Sequence, residues 1–133
     1  MANTKISALT SATTPLGGTE VLPIVQSNVT KKVSVADLTA ARAGTYTQGT
    51  TTPSVSSVSY MFIANSAPTT ITNFTGGQAG QVIYLLFNDA NTTINRSNAY
   101  LAGGTNFVST ANDTLTLVSD GTYWYEIARS ANS

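Results

Sequence analysis

The sequence predicts a mainly β protein: an N-terminal β-hairpin with a short helix, a linker, and a small antiparallel β-sandwich or β-prism-like domain that associates with copies of itself. Three observations carry this. Residues 21–35 alternate apolar and polar about one polar turn. Residues 43–59, "AGTYTQGTTTPSVSSVS", are Gly, Thr, Ser and Pro with one aromatic. From Tyr60 onward, short apolar runs recur between Gly- and Asn-rich turns, the pattern of a sandwich, barrel or short solenoid.

The first element is a hairpin turning at Ser27-Asn28. Alternation then puts Leu22, Ile24, Val29, Val33 and Val35 on one face, with Lys31 the exception. Val21, Pro23, Val25, Thr30, Lys32 and Ser34 take the other face. Asn28 tolerates the left-handed conformation that tight turns need, and Pro23, lacking a backbone donor, suits an edge strand. A two-stranded hairpin is marginal alone in water, so this one needs another surface. Ser34 is placed to cap a helix, "VADLTAAR", with Asp37 three residues on and Gly44 beyond its end. Residues 1–42 thus form one module. Residues 43–59 read as a linker, or as an extended edge strand of the domain that follows.

In 60–133 the expected strands are "YMFIAN", "TTITNF", "QVIYLLF", "TTINRS", "FVST", "DTLTLVS" and "TYWYEIAR". The last two meet at Asp120-Gly121, a strong hairpin signal. "TTITNFTGG" and "TTINRSNAYLAGG" echo each other at a spacing of about 23 residues, as one coil of a β-solenoid would. One strand wants cover on both sides: Val82, Tyr84 and Leu86 are apolar, and so are Ile83, Leu85 and Phe87. A domain of about 74 residues has little interior for this, and domains that small often need disulfides, metals or association. With no cysteine in the chain, association is the expected remedy, and these six residues are the candidate subunit interface.

Composition narrows the chemistry. Of the 133 residues, charged side chains make up 9% and balance to zero net charge, while Thr, Ser and Asn supply the polar surface. Scattered charge argues against nucleic acid, whose binding relies on clustered cations. Without Cys or His, thiolate zinc sites, cysteine nucleophiles and the commonest general base are all missing. No apolar stretch reaches the length of a membrane helix, so no membrane insertion is expected. "MANTKISALTSATTP" lacks the apolar segment of a signal peptide. The Asn-x-Ser/Thr triplets at Asn28, Asn73, Asn91, Asn95 and Asn112 are ascribed to the Thr- and Asn-rich composition.

A catalytic role would have to use Glu20, Asp37, Asp89, Asp113, Asp120 or Glu126. Asp120 and Glu126 lie six apart around a hairpin, within the reach of a glycosidase pair. Asp120 is also the expected turn residue, and Glu126 shares a strand face with Thr122 and Trp124, so no catalytic residue is assigned. Asn88, Asp89 and Asn91 offer oxygen ligands of the kind calcium takes, but "NDAN" is more simply a turn, and no metal or cofactor is assigned. Tyr123, Trp124 and Tyr125 are candidates for stacking on a sugar ring, and equally for core or interface.

Two segments resemble a known family. "KISALTSATTPLGGTEVLPIVQSNVTKKVSVADL" is similar to the N-terminal module of tailed-bacteriophage fibre, spike and other appendage proteins. The matching positions are Ile6, Ser7, Leu9, Gly18, Glu20, Leu22, Pro23, Val25, Gln26, Thr30, Lys32, Val33, Asp37 and Leu38. "ITNFTGGQAGQVIYLLF" through "NDTLTLVSDGTYWYEIARS" resembles a segment that closes several such proteins. The chain departs from longer members in having no shaft or enzymatic β-helix between the two parts. The resemblance implies a virion structural protein, a short homotrimeric fibre or appendage, made in the host cytoplasm. Its hairpin (Leu22, Pro23, Ile24, Val25, Val33, Val35 and Leu38) would attach to another virion protein, and its β-domain would project, in reach of a host surface glycan. A capsid decoration or head-fibre protein that stabilises the particle is the alternative, and a glycan-active spike enzyme a third reading.

Overall fold

The computed structural model describes residues 21–35 and 42–132, which fall in two compact units divided near Ala40. In the first, β1 (Val21–Gln26) and β2 (Val29–Ser34) pair antiparallel, with Gln26 opposite Val29 and Val21 opposite Ser34. Ser27 and Asn28 have φ of 54° and 60°, the two left-handed residues of a type I′ loop, whose twist matches that of the strands it joins. The register sets Leu22 opposite Val33 and Ile24 opposite Lys31, as the alternation predicts. Val21, Leu22, Ile24, Val25 and Val29 are all exposed. Asp37, Leu38 and most of the expected helix lie outside the described residues.

Nine strands follow in the second unit. They are β3 (Ala43–Gly44), β4 (Tyr60–Ile63), β5 (Thr69–Ile71), β6 (Val82–Phe87), β7 (Thr92–Ile94), β8 (Ala99–Tyr100), β9 (Phe107–Val108), β10 (Thr114–Ser119) and β11 (Trp124–Ser130). One sheet has the order β3-β4-β6-β10-β11-β8 and the other β5-β7-β9. Their inner faces make one core, so the domain is a β-sandwich. Met61, Ile63, Ile83, Leu85, Phe87, Leu115, Leu117 and Trp124 of the larger sheet bury with Ile71, Ile94 and Phe107 of the smaller. Phe87 and Phe107 meet across the gap with ring centroids 5.0 Å apart.

The expected antiparallel pairing holds for β6–β10, β10–β11 and β7–β9. Parallel pairs join them: β3–β4, β4–β6, β5–β7 and β8–β11. The chain passes from β4 in the large sheet to β5 in the small one, back to β6, then across again to β7. Each return is parallel, which is one coil of a solenoid. The sequence echo is the trace of that coil, for Thr69, Thr70 and Ile71 pair in register with Thr92, Thr93 and Ile94.

Segment 43–59 is not a linker. Val55 is fully buried in the core, with Tyr46 and Val58 packed beside it. The Val55 amide donates to Thr75 O, the Thr75 amide to Pro53 O and the Thr72 amide to Thr51 O, each at 2.8–2.9 Å. Gln81 closes the arrangement by donating from Nε2 to Val55 O at 2.7 Å and to Val58 O at 2.8 Å. Its irregular backbone thus finds its hydrogen bonds in the domain instead of in water.

β6 shows why one face won. Ile83, Leu85 and Phe87 turn inward, whereas Val82, Tyr84 and Leu86 face out. Burying either aliphatic set gains a similar amount, about 1.5–3 kcal/mol per large side chain. Turning Tyr84 inward would leave its hydroxyl needing a partner, at a cost of roughly 1–3 kcal/mol if none were found. The tyrosine hydroxyl thus weighs against burying that face, and pairing with β4 and β10 sets which face is covered.

Candidate functional site

The outward face of the large sheet follows from strand register. Phe62, Leu86, Thr114 and Ser130 form one row across β4, β6, β10 and β11. Tyr60, Tyr84, Thr116 and Ala128 form the next. Val82, Val118, Tyr125 and Tyr100 form the third, on β6, β10, β11 and β8. None of these twelve side chains carries a charge. Phe62, Tyr84 and Tyr100 are each more than half exposed. Of the six interface candidates, Ile83, Leu85 and Phe87 are spent inside the chain, and only Val82, Tyr84 and Leu86 contribute to this surface.

At one end of the face, Tyr100 stacks on Tyr125 with centroids 4.9 Å apart and planes at 15°, and Tyr123 meets Tyr100 edge-on at 5.5 Å. The Tyr125 hydroxyl donates to Asp120 Oδ2 at 2.9 Å, which holds that hydroxyl's pKa above its ordinary value. Trp124 does not join them. Strand alternation sends it to the core, 2% exposed, where Nε1 donates to Phe74 O at 3.2 Å and the ring meets Phe74 edge-on. A buried indole cannot offer its face for stacking, so Trp124 does not join Tyr123 and Tyr125 as an exposed stacking surface, although it lines a cleft beside it.

Beside Trp124, on the sandwich end, lies a polar cleft of about 210 Å³. Its walls are the Asn73–Gly77 loop and the β10–β11 turn at Ser119, Gly121 and Thr122. The turn is a two-residue loop, with positive φ at Gly121, its first member, where type II′ loops place glycine. Gly77 is dictated by packing, since a Cβ there would lie 2.5 Å from Trp124 Cζ2.

Among the described residues, the acidic residues singled out by sequence, Asp89, Asp113, Asp120 and Glu126, have structural partners, while Glu20 and Asp37 lie outside them. Asp120 Oδ1 accepts from the amides of Thr122 and Tyr123, and these bonds, Tyr123's foremost, hold its pKa below the ordinary value. Glu126 pairs with Arg129 and accepts from the Ala102 amide, and the guanidinium lowers its pKa. A bulge opposite Thr116 and Leu117 adds one residue, Ile127, between Glu126 and Arg129. Asp89 accepts from the Asn65 amide, the Asn91 amide and the Thr92 hydroxyl. Asn91 Nδ2 donates to Asn65 O, and the Asn88 amide to Ile63 O, so "NDAN" is a hydrogen-bonded turn built about a buried carboxylate.

Residues 39–125 match the family model described as the phage depolymerase C-terminal beta sandwich domain. The chain belongs to that family. Among curated proteins none matches it. The phage β-sandwich match begins before β3, in keeping with the packing of 43–59 into the core, and it runs into β11. Membership supports the sequence resemblance to phage fibre- and spike-type proteins with a β-rich C-terminal domain. Among the described residues no helix is long and apolar enough to cross a membrane. Sequence reasoning missed Asn65 and Tyr46 as polar anchors, Tyr100 as a member of the aromatic cluster, and the cleft. The only signal for the cleft was Gly76-Gly77, which also reads as an ordinary turn.

Proposed function

We propose that the chain is a short homotrimeric fibre or appendage of a phage particle. The hairpin attaches it to another virion structural protein, and the sandwich assembles through its outer sheet face and contacts the host surface. The uncharged, aromatic-rich face across β4, β6, β10, β11 and β8 carries this reading. Contiguous exposed apolar surface of this kind marks an interaction site on a small domain. A charge-free face suits a second copy of itself, because no like charges oppose each other when identical surfaces meet. The number three comes from the resemblance to fibre and spike proteins.

The role needs no catalysis by this chain. Asp120 and Glu126 serve a turn and an ion pair, and incubation with host polysaccharide is expected to release no oligosaccharide. The test of assembly is the mass in solution by light scattering, expected at three times the 13.8 kDa of one chain. A 13.8 kDa species at micromolar concentration would refute it. Imaging the particle with the chain fitted separates a tail appendage from a capsid decoration, the alternative that uses the same hairpin.

A further inference from the structure

We infer that the cleft between the Asn73–Gly77 loop and the β10–β11 turn binds one ring of an uncharged sugar. The site assignment stands on the cleft itself; that the sugar belongs to the host surface rests on the function proposed above. At about 210 Å³ the cleft is smaller than the roughly 300–1,000 Å³ of pockets for drug-sized ligands. It is of a size for a single ring.

The lining decides the class of ligand. Asn73, Thr75, Ser119 and Thr122 bring amide and hydroxyl groups, and Gly76, Gly77 and Gly121 bring bare backbone. Among the described residues, Asn73 Nδ2, the Thr122 hydroxyl and the amides of Gly76 and Gly77 have no hydrogen-bond partner. No charged side chain lines the cleft. The nearest carboxylate in sequence, Asp120, is occupied by two turn amides and the Tyr125 hydroxyl. An acidic sugar would find no cation here. An apolar ligand would cover donors it could not satisfy, at roughly 1–3 kcal/mol each. A ring bearing several neutral hydroxyls satisfies these groups in both directions.

The exposed tyrosines are the weaker site. Tyr100 and Tyr125 already cover each other's faces, and their row lies on the sheet surface assigned to assembly. Glycines shape the cleft instead. Gly76 and Gly121 hold φ of 76° and 97°, which other residues rarely adopt, and so fix the backbone path of the two walls.

Trp124 lines the cleft and is the only tryptophan in the chain, so its fluorescence reports on the site directly. The intact protein would be titrated with glucose, galactose, N-acetylglucosamine, glucuronate and a neutral tripeptide. The expected result is a saturable change with at least one neutral sugar at millimolar concentration. Affinity should fall at least tenfold in Thr122→Phe, which fills the cleft, and in Asn73→Ala, and stay unchanged in Tyr123→Ser. The inference is overturned if no neutral sugar saturates, if glucuronate or the peptide binds more tightly, or if both cleft variants bind like the parent. Adsorption of particles to host cells is scored separately. Particles that adsorb while the isolated protein ignores every sugar leave host contact standing and remove the cleft.

Discussion

The backbone amide of Asn65 donates to Asp89 Oδ2 at 2.9 Å, joining two turns 24 residues apart. The Asn65 side chain extends the link. Its Nδ2 donates to Thr92 Oγ1 at 2.8 Å, and its Oδ1 accepts from the Gly49 amide at 2.8 Å and from the Tyr46 hydroxyl at 3.1 Å. One buried amide therefore ties the β4–β5 turn, the β6–β7 turn and segment 46–50 together. Burial raises the pKa of Tyr46, so the hydroxyl keeps its proton and its role as donor. Asn65→Ala should cost about 1–3 kcal/mol, because the Gly49 amide loses its acceptor while the Thr92 hydroxyl keeps Asp89 and the Tyr46 hydroxyl keeps Thr50 O. Urea unfolding followed by Trp124 fluorescence measures this, and a loss below the error of the fit would contradict it.

Gly77 and Trp124 form a second tight relationship. The Cβ of an alanine at 77 would meet the indole at 2.5 Å, and that ring is held by Phe74 twice, through the edge-on ring contact and the Nε1 bond to its carbonyl. Gly77→Ala should destabilise by about 1–3 kcal/mol, the usual cost of overpacking. A lower melting temperature with a shifted tryptophan emission is the expected readout. Gly80→Ala, where no atom lies within 4 Å, should cost less, and what it does cost comes from its φ of 81°.

Stability should fall in acid. Asp113 is held below the ordinary carboxylate pKa first by the Thr110 amide, Asp120 by the amides of Tyr123 and Thr122, and Glu126 by Arg129. Folded values below unfolded ones mean that the stabilisation is complete above the unfolded pKa and is lost as pH falls through the folded one. The unfolding free energy is therefore expected to be level from pH 7 to roughly 5 and to drop below roughly pH 4. Glu126→Gln should flatten that drop in denaturation curves taken across the range. An unchanged slope would show that the Arg129 pair contributes nothing.

Much of this architecture was legible because periodicity and turn chemistry are local. Ser27-Asn28 named the hairpin loop, Asp120-Gly121 located the β10–β11 turn to within one residue of its Gly121-Thr122 loop, and the Thr-Thr-Ile echo marked the parallel β5–β7 pair. What stayed hidden was long-range. Val55 and Val58 sit among Thr, Ser and Pro, and Val55 is drawn into the core where Gln81, 26 residues away, and the Thr75 carbonyl take up its backbone. Tyr100 reached the aromatic cluster through a parallel bridge from β8 to β11, which no local pattern encodes. The two apolar faces of β6 were visible in sequence. Which one the chain itself would cover depended on the partner strands.

The hairpin and the sandwich should respond differently to charge. Leu22 and Val25 are exposed in their own unit, so Leu22→Asp with Val25→Asp removes no core contact. Surface changes of that kind usually stay within about 0.5 kcal/mol. The double variant should melt like the parent yet be missing from purified particles in a complementation assay. Normal incorporation would show that the hairpin is not the attachment element.

Tyr84 tests the assembly face most directly. It is 58% exposed at the centre of the uncharged surface, between Tyr60 on β4 and Thr116 on β10. Burying a carboxylate there against two sister chains, with no cation in any of the three rows, costs several kcal/mol per ion. Tyr84→Glu should therefore lower the mass in solution to one chain at micromolar concentration, while the monomer's β spectrum is kept because the side chain leaves the core untouched. Tyr84→Phe removes only a hydroxyl and should remain assembled. Sedimentation of both variants beside the parent gives the answer. A Tyr84→Glu protein that sediments as the parent would place the subunit contact elsewhere on the domain.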